Sequence, residues 1–239
     1  MKVEIACSNF ESVLNAHQAG ADRIELCSAL GLGGLTPSFA LIKKAITVFQ
    51  KNVFVLIRPR EGDFVYSDDE LEIMLDDIHL VKEMGAGGIV SGVLMTNHKI
   101  DIERTKLLVK AAGHLPFTFH RAFDLISDPI AGLISLENIG VKRILTSGQK
   151  PDALLGKELI KTLNDRASES ISILAGAGIN PTNVVEIVSY TGVNEVHLSA
   201  KHKVGKRTTV SMGASDSGTY DVSDERTIRL VISELNRLQ

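Results

Sequence analysis

The sequence lacks several features that mark particular classes of protein. Its 239 residues include two cysteines, and at this length no disulfide framework is needed to hold a fold together. No run approaches the roughly 18 apolar residues of a membrane span, and the first residues lack the apolar run of a signal peptide. The formal net charge is −3, so no basic surplus favours nucleic acid or an acidic membrane. These absences predict a cytoplasmic protein with reduced thiols that binds neither nucleic acid nor membranes.

The composition fits one globular domain. Hydrophobic residues make up 44% of the chain and charged residues 23%, the balance of a protein able to bury a large core. Single α/β barrel domains commonly reach this length. We therefore expect one domain over residues 1–239.

A repeated pattern predicts the architecture of that domain. Four segments share an apolar helical stretch, a glycine suited to a left-handed helix cap, a few loop residues and a strand. The glycines are about 50–65 positions apart, which fits two βα units per interval; they are Gly20, Gly85, Gly140 and Gly192. Four further apolar runs bring the strands to eight, at 3–6, 53–57, 117–120 and 171–174.

Alternating strands and helices predict a parallel sheet covered by helices. Eight βα units close most naturally into a (β/α)8 barrel, the TIM-barrel fold. A doubly wound open sheet is the alternative. No Gly-x-Gly-x-x-Gly follows the first strand, which disfavours a dinucleotide-binding fold, and no motif indicates an organic cofactor.

The segment 201–222 interrupts the alternation. It is polar, rich in serine, glycine and threonine, and without an apolar period. We expect a long, mobile loop between the eighth strand and the last helix, and a lid that grips an anion is the alternative. The lid interpretation depends on a basic first half, which contains Lys201, His202, Lys203, Lys206 and Arg207.

Polar residues gather where the predicted strands end. In a (β/α)8 barrel the carboxyl ends of the strands form the face that carries function. Alternation places Glu4, Glu25 and Cys27 toward the barrel interior. We interpret the polar strand ends as a candidate catalytic site, composed of Glu25, Arg58, His120, Arg121, Asp124 and His197.

The residue types suggest individual roles. A buried Glu25 needs a cationic partner, and Arg58 is the expected bidentate partner. His120 and His197 are the acid–base candidates, since imidazole titrates near neutral pH. An internal ion-pair network without catalysis is the alternative, so whether the protein is an enzyme stays open at this point.

A small phosphorylated or carboxylated metabolite is the expected ligand of such a site. The segment 175–181 runs from the seventh strand into a helix start, where free amides can hold a phosphate. Phosphate sites in these barrels often use the loops after strands seven and eight. The candidate anion-binding residues are Arg60, Gly176, Gly178 and Ser199. A tight turn is the plain alternative at the two glycines.

Cys7 and Cys27 are expected at neighbouring strand ends. Two close thiolates suit Cu(I), which accepts coordination by two sulfur atoms. However, Cys7 follows Glu4 by three residues, so in a regular strand the two face opposite ways. The thiols can meet only if the first strand has ended or bulged by Cys7. Ordinary core packing of small side chains is the alternative.

Several long motifs resemble the CutC copper homeostasis family over about residues 1–203. They are Arg23–Ser28, Thr36–Ser38, Ile57–Ser67, Thr118–Asp124, Leu145–Gly148 and the turn at Gly176–Ile179. The resemblance implies a TIM barrel, a cytoplasmic location and a link to copper tolerance, with Cys7 and Cys27 as the suggested Cu(I) ligands. Where the family commonly has three glycines, this chain has Ala177 between two glycines. The resemblance implies no reaction. As partners we expect a copper ion or a small anionic ligand, and a homodimer is the default oligomer.

Overall fold

Eight parallel strands close into a barrel in the computed structural model, which describes residues 1–205 and 218–238. Each strand pairs with the next along the chain, and the eighth pairs with the first, so the sheet has no open edge. The TIM-barrel prediction is confirmed. The strands are β1 Lys2–Cys7, β2 Arg23–Leu26, β3 Val53–Leu56, β4 Gly88–Ser91, β5 Phe117–Phe119, β6 Arg143–Thr146, β7 Ser172–Gly176 and β8 Glu195–Leu198.

Helices cover the outside of the barrel because each has an apolar stripe at helical spacing. In the third helix the buried residues are Leu71, Met74, Ile78 and Val81, three or four positions apart. A capping box of Ser67 and Glu70 begins this helix, as each side chain satisfies the other's backbone amide. The helices are α1 Phe10–Ala19, α2 Phe39–Phe49, α3 Asp68–Glu83, α4 Ile102–Ala112, α5 Pro129–Asn138, α6 Lys157–Arg166, α7 Val184–Thr191 and α8 Glu225–Asn236.

Alternation along each strand divides its side chains between two layers. Ile5 and Ile24 are register partners and pack in the outer layer, between the strands and the helices. Inside the barrel, Phe54 lies between two arginines, with its ring centre 5.2 Å from Arg23 and 4.3 Å from Arg143. The interior of this barrel is therefore partly charged, and its charges lie against aromatic and aliphatic side chains.

The segment after β8 forms regular structure where it is described. β9 Lys201–Gly205 and β10 Thr219–Ser223 pair as an antiparallel sheet, which corrects the irregular loop predicted at both ends of 201–222. Residues 206–217, including Lys206 and Arg207, lie outside the described residues. β10 is held against α1, because Asn9 and Asn15 donate side-chain hydrogen bonds to the carbonyls of Asp221 and Ser223.

None of the helices formed within 1–205 and 218–238 is long and apolar enough to span a bilayer.

Gly88 leaves room for the aromatic ring that fills the barrel interior. A Cβ at this position would lie 2.1 Å from a ring atom of Phe54, whose ring is flanked by two guanidinium groups and has little freedom to move. We therefore expect Gly88→Ala to lower the free energy of unfolding by about 1–3 kcal/mol, measured by urea denaturation. Gly31→Ala is the control, because no atom lies within 4 Å of an added Cβ there. Equal stabilities of the two variants would show that the interior repacks freely.

Candidate functional site

A cavity of about 660 Å³ opens at the carboxyl ends of the strands. Its walls combine apolar side chains, such as Leu56 and Phe64, with convergent polar groups, a combination typical of small-molecule sites. Seven of the predicted site residues line it, from the ends of five strands: Glu25, Arg58, His120, Arg121, His197, Gly178 and Ser199.

A buried cluster of two carboxylates and an imidazole adjoins this cavity. His197 Nδ1 lies 2.7 Å from Glu4 Oε1 and 3.9 Å from Glu25 Oε2. Strand register explains why these side chains lie close together. Glu4 on β1 is the register partner of both Arg23 on β2 and His197 on β8. We call Glu4, Glu25 and His197 the acidic cluster.

The surroundings of the acidic cluster separate the pKa values of its two carboxyl groups. Burial opposes ionisation of Glu4, but hydrogen bonds and charge from His197 and Arg23 outweigh it and lower the pKa of Glu4 to about 2. The pKa of Glu25 is raised to about 7, because the charge of His197 offsets only part of the effect of burial. Burial alone would lower the pKa of His197, yet the bond to Glu4 and the charge of Glu25 raise it. These surroundings therefore favour an ionised Glu4 and raise the pKa of both Glu25 and His197.

Arg23 is the cation that pairs with the interior carboxylates. It donates to Glu4 through Nε and to Glu195 through Nη2, and all three side chains are buried. Arg23 and Glu195 are not among the site residues predicted from the sequence. The signal was available, since each stands two residues before an inward-facing site residue, Glu25 or His197, and alternation turns it the same way.

Arg58 does not pair with Glu25, so that expectation is wrong. Its Nη1 donates to the carbonyls of Leu32 and Gly34 at 3.0 and 2.8 Å, and its Nη2 donates to Gly62 at 2.8 Å. The guanidinium also lies 5.0 Å from the ring centre of Phe64. Arg58 thus joins the loops after β2 and β3 while adding positive charge to the cavity wall.

His120 is a neutral hydrogen-bond donor rather than a group that titrates near pH 7. Burial and the nearby charge of Arg58 lower the pKa of His120 to about 3. Its Nδ1 accepts from the amide of Ala122 at 3.3 Å, which assigns the proton to Nε2. Nε2 is buried and has no hydrogen-bond partner among the described residues. His120 therefore does not fit the acid–base role near neutral pH that the sequence led us to expect.

Asp124 positions other groups and does not line the cavity. It binds Arg121 Nε at 2.9 Å and accepts from the backbone amides of Ser147 and Gln149. Arg121 also donates to Ser147 Oγ at 2.9 Å. Because 46% of the Arg121 side chain is exposed, this arginine remains accessible to an anion while its orientation is fixed.

Two of the predicted anion-binding residues lie away from the cavity. Arg60 is paired with Glu70 and Asp63 and donates to the carbonyl of Val65, so it does not line the cavity. Gly176 packs beneath the wall, where an added Cβ would lie 2.6 Å from Leu145. The helix expected from Asn180 begins later, at Val184.

The side chains of the two cysteines face different layers. β1 remains regular through Cys7, whose register partner is Leu26, and Cys7 packs in the outer layer. Cys27 follows the inward alternation and packs with Phe54 inside the barrel. The backbones are adjacent, since the Cys27 amide donates to the Cys7 carbonyl at 2.9 Å. Burial raises the pKa of both thiols, so neither is a thiolate in this conformation.

Comparisons with known proteins give one consistent result. The model of the CutC family matches residues 1–202. A CutC family protein of Pasteurella multocida is 51% identical to this chain over 201 residues, which cover 84% of this chain and 82% of that protein. Another, of Glaesserella parasuis, is 43% identical over the full length of both chains. The crystal structure of a CutC protein of Streptococcus agalactiae, provisionally assigned to copper homeostasis, has a TM-score of 0.79 at 35% identity and covers 83% of this chain and 98% of that one.

Because His120 is buried in its neutral state, the free energy of unfolding should fall at acidic pH. The folded protein resists protonation of His120 until about pH 3, whereas the unfolded chain takes up the proton near pH 6.5. This contribution to stability is present above pH 6.5 and is lost as the pH falls. Between pH 7 and pH 4.5, we expect the unfolding free energy of wild type to fall by about 2–3 kcal/mol more than that of His120→Gln.

Urea denaturation at both pH values, in buffer with a chelator, measures this difference. Gln keeps an acceptor for the Ala122 amide but does not titrate. The control is His114→Gln, at an exposed position, and its stability should run parallel to that of wild type. Parallel profiles for His120→Gln and wild type would contradict the assignment of a buried neutral imidazole.

Proposed function

Since the chain belongs to the CutC family, we propose that its barrel is a cytoplasmic enzyme that binds a small phosphorylated or carboxylated metabolite and moves a proton on it. One observation carries this proposal. A single cavity brings Glu25 and His197, whose Oε2 and Nδ1 atoms lie 3.9 Å apart, together with the cations of Arg58 and Arg121.

The arginines favour an anionic ligand. Arg58 is buried and its charge is balanced only by backbone carbonyl dipoles in the contacts described above. Arg121 is held by Asp124 and Ser147, but a guanidinium has five N–H donors, more than these two bonds use. A carboxylate or phosphate in the cavity would complete the pairing of these groups.

Glu25 and His197 favour general acid–base chemistry. A catalytic group works best when its pKa lies near the working pH, and the pKa of Glu25 is raised to about 7. His197 is oriented by its hydrogen bond with Glu4. His120 favours the same chemistry from another wall of the cavity, because its Nε2–H has no partner within the described part of the chain and a ligand oxygen would supply one.

Binding to the cavity is testable with a panel of phosphorylated and carboxylated metabolites. A ligand that binds only the folded state raises the melting temperature. We expect at least one anion to stabilise wild type, with its affinity reduced about tenfold or more in Arg121→Ala, because a hydrogen bond to a charged group is lost. The matched control is Arg166→Ala, an exposed arginine on α6 outside the cavity. Equal affinities in Arg121→Ala and Arg166→Ala would refute binding at this site.

Copper binding by the two cysteines is a second candidate, favoured by their adjacent backbones. The free thiols of Cys7 and Cys27 are at the ends of neighbouring strands. Shared coordination of Cu(I) would require one of the two side chains to change direction. The most direct change would turn Cys7 from the outer layer toward Cys27 in the barrel interior. The provisional copper assignment of the S. agalactiae relative is consistent with this candidate.

Copper binding by this pair predicts that neither cysteine suffices alone. Anaerobic titration of reduced protein with Cu(I), against a competing chelator, should give one ion per chain. Cys7→Ser and Cys27→Ser should each lose as much affinity as the double variant, because linear coordination needs both sulfurs. Met95→Leu removes a partly exposed sulfur elsewhere and should bind as wild type does. Unchanged affinity in the double variant would exclude the paired site.

A further inference from the structure

We propose that Glu4, Glu25 and His197, the acidic cluster, bind one divalent cation of the Zn²⁺, Mn²⁺ or Fe²⁺ class beside the cavity, independently of the cysteines. This inference goes beyond the proposed function, which needs no metal. It depends on the geometry of the cluster, on a buried oxygen that no described residue hydrogen-bonds, on the local charge and on the kinds of ligand atom present.

The three side chains already converge at the scale of a metal site. One ligand atom from each lies within 4.8 Å of the others. His197 Nδ1 is 2.7 Å from Glu4 Oε1 and 3.9 Å from Glu25 Oε2. A cation at about 2.0–2.2 Å from each atom separates its ligands by roughly 3–4 Å. Small side-chain rotations would therefore admit the ion, which would replace the proton between His197 and Glu4.

Glu25 supplies an independent observation that points to a cation ligand. Glu25 is 8% exposed, and its Oε2 atom is buried without any hydrogen-bond partner among the described residues. Buried charged groups in proteins are paired or coordinate metals, because an unpaired one loses its hydration. The cation expected as its partner, Arg58, binds backbone carbonyls instead.

The local charge also favours a cation. Arg23 is committed to Glu4 Oε2 and Glu195 Oε2, which leaves Glu4 Oε1 directed to His197. A second buried guanidinium, that of Arg143, also interacts with the charges of Glu4 and Glu195, so two arginines balance these two carboxylates before Glu25 is counted. An ionised Glu25 adds a further negative charge in the interior, and a divalent cation would offset it.

The ligand atoms select the class of metal. Two carboxylate oxygens and one imidazole nitrogen suit Zn²⁺, Mn²⁺ or Fe²⁺, whereas Cu(I) prefers thiolates. Three protein ligands leave at least one coordination position open, as in catalytic rather than structural zinc sites. Glu25 and His197 line the cavity, so an anionic ligand there could occupy that position. Bound metal would then polarise the ligand in place of a shared proton.

Metal binding can be measured on the whole chain without knowledge of a substrate. Protein stripped with EDTA and freed of chelator is titrated with Zn²⁺ and, separately, with Mn²⁺ by calorimetry. We expect one equivalent to bind, and Glu25→Gln to weaken binding at least tenfold while keeping the side-chain shape. Glu72→Gln, at an exposed position on α3, and the Cys7→Ser/Cys27→Ser double variant should bind as wild type does. No binding, unchanged binding by Glu25→Gln, or loss of binding in the cysteine variant would each overturn the proposal.

A spectroscopic readout on wild type makes the test independent of how the variants fold. Pulsed electron paramagnetic resonance of the Mn²⁺ complex should show coupling to one histidine nitrogen, and absence of that coupling would also overturn the site. The anion-binding experiment is run with chelator present. Its result therefore stands or fails separately from the metal titration.

Discussion

The ion pairs of Arg23 hold together the place where the barrel closes. Arg23 lies on β2, and its two carboxylate partners, Glu4 and Glu195, lie on β1 and β8, the strands whose pairing completes the ring. All three are buried, so loss of either carboxylate would leave a guanidinium charge only partly compensated, a defect that typically costs about 3–5 kcal/mol. The closing seam is thus fixed by charge as well as by backbone hydrogen bonds.

The chemistry of the site follows from how the buried cations are distributed. Arg23 is used by two carboxylates and Arg58 by three loop carbonyls, so neither is left to neutralise Glu25. Glu25 Oε2 therefore lies 3.9 Å from His197 Nδ1 and has no hydrogen-bond partner in residues 1–205 and 218–238. Protonation of Glu25 and binding of the proposed divalent cation are two ways to satisfy that oxygen, and each would suit a different reaction chemistry.

The same alternation that gathers the acidic cluster separates the cysteines. Glu25 and Cys27 face the interior together, while Cys7 continues a regular strand and faces the helices. Cu(I) and a harder divalent cation would therefore use different ligands, one requiring a local rearrangement of β1 and the other only small side-chain rotations. The two proposed forms of metal binding would therefore be chemically independent, even though their ligands are neighbours in sequence.

The sequence by itself determined the eight βα units, the face that carries the polar residues and the inward direction of Glu4, Glu25 and Cys27. These follow from periodicity and turn chemistry, which are local properties of the chain. Only the tertiary structure decided the partners of the charged side chains. Arg23 rather than Arg58 meets the carboxylates, Arg60 turns to Glu70, and β9 pairs with β10 where a loop was predicted. The physical reason is that long side chains and paired strands select among partners far apart in sequence, such as Glu195 for Arg23, by distances that exist only after the barrel has closed.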